Sequence, residues 1–148
     1  MPFLSPRCVR FGLAAAVVAL AVVLAPVVAA RADGDLATVR LPRAAMANGE
    51  PIPAGTYAVR LSDAAVKPVA GQSPDGARWV EFVQGGMVKG RELATVLAGP
   101  AVKQVAKEAP PVAGHARVEL LAGGQYLRVW INQAGTNYLV HLAVSASR

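Results

Sequence analysis

The chain has 148 residues, of which 15 are basic and 9 acidic, with two histidines, one cysteine and 5% aromatic residues. Its formal net charge of +6 is inflated by Arg7, Arg10 and Arg31 near the N-terminus; without them 12 basic residues face 9 acidic ones, spread singly. With no basic run left, this balance argues against nucleic acid or an anionic membrane surface as the main partner.

The chain opens with Arg7 and Arg10, runs without a charge from Leu13 to Ala30, and reaches Ala30-Arg31-Ala32. A positive n-region, an apolar h-region and a small-x-small site are the parts of a secretory signal peptide, so residues 1–32 are expected to be removed and 33–148 to form one domain. An uncleaved anchor is the alternative, because the 18-residue run approaches the roughly 20 that cross a bilayer. Membrane contact is expected only in that case; alanine content and Pro26 favour cleavage. The protein is thus expected in the periplasm or outside the cell. Cys8 precedes the apolar run, so it is not the acylated cysteine of a lipoprotein, and the mature chain has no thiol for a disulfide, a nucleophile or a metal.

Leu36 to Leu41 reads as a first strand closed by Pro42, and Ala44 to Ala47 as a short second one before the Asn48-Gly49 turn. Pro51-Ile52-Pro53 is too rich in proline for a central strand. Thr56 to Leu61 follows as a strand with Tyr57, Val59 and Leu61 on its apolar face. Val66 to Ala70 is a weak edge candidate because Pro68 lacks a ladder donor, and Gly71 to Gly76 is a loop. Trp79 to Val83 is a strand that Gly85-Gly86 turns into Met87-Val88-Lys89. Arg91 to Ala98 fits either period, and strand is preferred. Pro100 to Ala109 is the one helical candidate, with Val102, Val105, Ala106 and Ala109 on one face, ended by Pro110-Pro111.

The clearest stretch is Ala116 to Val144, a three-stranded meander. Alternating side chains put one face in a core and one in water. A four-residue loop, Ala122 to Gln125, sets Leu121 opposite Tyr126. Val118 then faces Val129 and Leu120 faces Leu127 inside, while Glu119 meets Arg128 and Arg117 meets Trp130 outside. Two apolar contacts, an ion pair and a cation over an indole favour this register; a slip of one residue would set valines against arginines. The third run, Tyr138 to Val144, presents Tyr138, Val140, Leu142 and Val144 on one face. The whole predicts an all-β domain, a single antiparallel sandwich or small barrel with at most one short helix.

Chemistry is harder to find. His115 and His141 have no company resembling a zinc set, so no metal or cofactor is expected. Ser62, Asp63 and His141 can be written as a trio, but nothing in their spacing marks a nucleophile, and Gly85-Gly86 and Gly123-Gly124 are turn glycines rather than phosphate loops. Glu81, Glu92 and Glu119 read as wet-face partners of arginine or lysine rather than as a glycosidase pair. Trp130 between Arg117 and Arg128 is the one candidate binding patch, since an exposed indole can stack on a sugar or peptide. The plainer reading, preferred here, has Trp130 covering a second face or packed under the 100–109 helix.

Ile52-Pro53-Ala54-Gly55-Thr56-Tyr57, with Val59 and Arg60 behind it, resembles the L-P-A-G-x-Y-x-V segment of small secreted bacterial β-proteins of uncharacterised function. Tyr126-Leu127-Arg128-Val129-Trp130 is similar to the Y-L-x-x-W near their C-terminal hairpin. The resemblance implies an all-β fold and a cell-envelope location, and no catalytic residues. The expectation is an exported, non-catalytic binding or structural module whose partner is a protein or glycan of the envelope, with two alternatives: a small barrel carrying a hydrophobic ligand, and, behind it, a hydrolase.

Overall fold

A computed structural model describes residues 34–67, 73–106 and 108–146, so the expected leader and Pro68 to Ala70 of the weak edge candidate lie outside the described residues. The described residues form nine strands: β1 (Asp35–Leu41), β2 (Ala45–Ala47), β3 (Glu50–Ile52), β4 (Gly55–Leu61), β5 (Ala77–Gln84), β6 (Met87–Ala98), β7 (His115–Leu121), β8 (Tyr126–Gln133) and β9 (Thr136–Val144). Among the described residues one short α-helix, α1 (Ala101–Ala106), lies between β6 and β7.

All pairings are antiparallel and form one sheet. From β7 the order runs through β8, β9, β6, β5 and β4 to β1. The two end strands meet: β1 packs against β7 and β8 without a hydrogen-bonded ladder, so the sheet is a nearly closed barrel. The alternation that marks each strand thereby becomes an inside and an outside. Tyr57, Val59, Val80, Phe82, Leu127, Val129, Ile131, Val140 and Leu142, none with any measurable exposure, fill the interior with the apolar residues of β1.

The predicted meander has the expected register throughout, from Arg117 opposite Trp130 to Leu121 opposite Tyr126. The second turn is tighter than expected. Ala134 and Gly135 both adopt positive φ, of 51° and 92°, and close a two-residue hairpin with Gln133 opposite Thr136. The ambiguous stretch from Arg91 to Ala98 is the second half of β6.

Two expectations are corrected, one at the helix and one at Val66 and Lys67 of the weak edge candidate. Pro51 falls, as the excess of proline requires, outside any central strand: among the described residues Glu50–Ile52 is an edge strand paired only with β2. Asn48 and Gly49, with φ of 47° and 85°, make the turn between them. The helix covers Ala101–Ala106 rather than residues 100 to 109, and of the predicted face Val102 and Ala106 are buried while Val105 is 57% exposed. Val66 and Lys67 carry no regular structure.

The β2–β3 hairpin pairs with the end of β9 and leans on β6. Gly90 permits this approach, because a Cβ there would stand 2.8 Å from Ile52 Cγ2 and 2.9 Å from Ala47 Cβ. Ile52 and Ala47 are fully buried and join the barrel core. The Pro-Ala-Gly-x-Tyr segment closes on itself: the Tyr57 hydroxyl donates to the Pro53 carbonyl at 2.7 Å, and burial pushes the phenol pKa up.

Candidate functional site

The outer surface carries two clusters of charge. One is the patch expected around Trp130. Arg117, Glu119, Arg128 and Trp130 occupy paired positions on β7 and β8, and alternation puts all four on the outer side. Arg117 Cζ lies 5.0 Å from the indole centroid and Arg128 Cζ 5.5 Å. The Arg128 Nε donates to Glu119 at 2.7 Å, and Arg117 Nη2 donates to Glu108, just beyond α1, at 3.0 Å. Glu108 also stands 3.8 Å from Arg128, so two carboxylates clasp two guanidiniums.

The indole itself is not on view. Trp130 is fully buried beneath Val102 and Ala106 of α1, beside Leu139 and Leu97, in a small core outside the barrel. Its N–H donates to Asn137 Oδ1 at 2.7 Å. The segment after the helix is tied down as well, since Asn132 Nδ2 donates to the Pro111 carbonyl at 2.8 Å. With α1 in place no ligand reaches the ring face, and the plainer reading of Trp130, under the helix, describes its position.

The second cluster is a row across three strands. Arg60 on β4, Glu81 on β5 and Arg91 on β6 are partners in register. Glu81 is only 6% exposed, yet it lies on the outer side. Arg60 Nε donates to one of its oxygens at 2.9 Å, and Arg91 Nη2 approaches the other at 2.9 Å. Burial opposes ionisation of Glu81, but hydrogen bonds from Arg60 and Ser62 and the charges of Arg91 and Arg60 outweigh it and hold its pKa below the usual carboxylate range. The two arginine side chains remain 44% and 54% exposed. They line an open cleft of about 570 Å³ together with Gly34 and the chain from Leu61 to Ala64.

Glu81 and Glu119 have the arginine partners expected of them. Glu92 does not: it accepts the Asn48 N–H at 2.6 Å and so holds the β2–β3 turn. The Arg60–Glu81–Arg91 row was hidden from sequence reasoning by a bulge. Around a Gly85-Gly86 hairpin Glu81 would meet Gly90, but the register shifts between Phe82 and Val83, so Phe82 faces Gly90 and Glu81 meets Arg91.

The Ser62, Asp63 and His141 trio does not form a unit. Ser62 and Asp63 line the cleft, while His141 sits on β9 opposite Arg128 and is not part of that lining. Partial desolvation against the sheet and then the charge of Arg128 lower the pKa of His141, which stays exposed. His115 opens β7 exposed, with Nδ1 3.2 Å from the Ala113 carbonyl oxygen. Among the described residues no group of three His, Cys, Asp or Glu side chains could hold a metal ion, and no helix is long and apolar enough to cross a membrane. Comparisons with protein families, curated proteins and solved structures give no match.

Proposed function

We propose that the protein is an exported, non-catalytic binding or structural module of a bacterial cell envelope, working in the periplasm or outside the cell. The observation that carries the binding mode is the filled barrel. Tyr57, Phe82, Ile131 and the aliphatic side chains around them occupy the interior, which leaves the polar outer surface for recognition of an envelope protein or glycan. Export rests on the leader-like residues 1–32, and the absence of a catalytic role on the scattering of Ser62, Asp63 and His141.

Two measurements test this reading. Expression of the full-length gene in a bacterial host, followed by fractionation and N-terminal sequencing, is expected to yield a periplasmic chain starting at Asp33. Recovery of an intact chain from the cytoplasm would sink the export step. Titration with a fluorescent fatty acid is expected to show no saturable binding. A stoichiometric complex would replace outer-surface recognition by carriage in the barrel.

A further inference from the structure

The two charged clusters differ in what they leave unused. At the Trp130 clasp both guanidiniums are engaged by Glu108 and Glu119. In the cleft, Arg60 donates one N–H to Glu81, and Arg91 forms an ion pair with the other oxygen. Among the described residues neither guanidinium has a further partner, and the Asp63 carboxylate on the same lining has none at all. A guanidinium carries five N–H donors, so two half-exposed ones fixed by a shared buried carboxylate retain donors for another acid group. Glu81 is thereby a positioning residue: its hydrogen bond from Arg60 and its ion pair with Arg91 hold the guanidiniums at one side of the cleft, which lowers the ordering cost of binding.

The balance of charge narrows the ligand. Glu81 and Asp63 offset the two arginines, and Asp35 is the register partner of Arg60 on β1. A pure anion gains little from such a surface, whereas a molecule with both signs matches it. We infer that the cleft over β4, β5 and β6 binds a small zwitterion, an amino acid or short peptide with both ends free. Arg60 and Arg91 take its carboxylate and Asp63 takes its ammonium group. The cleft volume, about 570 Å³, falls within the range of small-ligand sites. This rests on outer-surface recognition by the barrel, which the fatty-acid titration tests independently.

The test is a nuclear magnetic resonance titration of ¹⁵N-labelled protein, produced from the full-length gene, with the dipeptide Ala-Ala, its N-acetyl form and its C-terminal amide. Ala-Ala is expected to shift the backbone amides of residues 60–64, 81 and 91 saturably, with a Kd on the order of 1 mM. The amide should give no saturable shift, and the acetylated form should bind more weakly than Ala-Ala. Arg91→Gln should weaken Ala-Ala at least about tenfold. Asp63→Asn, which alters an exposed side chain with no partner, should weaken Ala-Ala and leave the acetylated form unchanged. Absence of a saturable shift with Ala-Ala, equal binding of the amide, or shifts untouched by both substitutions would overturn the assignment.

Discussion

The indole N–H of Trp130 donates to Oδ1 of Asn137 at 2.7 Å, joining β8 to β9 on the outer side of the barrel. Leu139, not Asn137, is the register partner of Trp130, so the bond runs diagonally between side chains on one face. Asn137 also donates to the Gly135 carbonyl at 3.2 Å, tying the small outer core to the hairpin turn. Asn137→Ala would leave a buried indole N–H unpaired and should cost about 1–3 kcal/mol. Trp130→Ala would empty the space beneath α1 and should cost about 3–5 kcal/mol. Urea denaturation measures both, and near-wild-type stability of Trp130→Ala would show α1 to be dispensable to the fold.

Gly90→Ala sets a methyl against two buried neighbours of the β2–β3 hairpin. Overpacking of this kind is expected to cost about 1–3 kcal/mol. Trimming Ile52 to Ala removes the Cγ2 methyl that the new Cβ would meet, so the double substitution should be less destabilised than the two single effects added. Strict additivity in thermal melts would mean that the hairpin shifts away instead of pressing on β6.

The carboxyl of Glu81 is held below its ordinary range in the folded chain. A depressed acid contributes stability above its unfolded pKa of about 4.3, and loses that contribution as pH falls through the folded value. Glu81→Gln should therefore flatten the acid limb of a stability–pH profile. At pH 7 it should also destabilise by about 1–2 kcal/mol, a figure kept small because both arginines are half exposed.

His141 gives a second pH signature of known sign. Its folded pKa lies below the ordinary histidine value, first through partial desolvation of a ring that stays exposed and then through Arg128, so the unfolded chain binds its proton more readily. Stability should fall as pH drops below about 6.5 and level off beneath the folded pKa. His141→Gln is expected to remove this step; an unchanged slope between pH 7 and pH 5 would contradict the argument.

Tyr57→Phe removes the bond to the Pro53 carbonyl and keeps the ring in the barrel. The expected cost is about 1 kcal/mol, read from thermal or urea unfolding. If Tyr57→Phe proved as stable as the parent, Pro-Ala-Gly-x-Tyr would need only the ring, which meets Phe82 edge-on with centroids 6.2 Å apart.

Local pattern alone determined the meander of β7, β8 and β9, the ion pair of Glu119 with Arg128, and the guanidinium of Arg117 over Trp130. In each case alternation sets the face and a short glycine turn sets the register, so the partners lie within reach of one another along the chain. Only the tertiary structure decided between sandwich and barrel, because closure depends on β1 meeting β7 from the far end of the sequence. It chose, of the two placements that the sequence left open for Trp130, the one under α1, and it alone assembled Arg60, Glu81 and Arg91. Residues 62–76 separate β4 from β5, and the bulge in the β5–β6 hairpin moves Glu81 from Gly90 to Arg91. No alternation within a single strand carries that information; it arises when strands distant in sequence settle side by side on a common core.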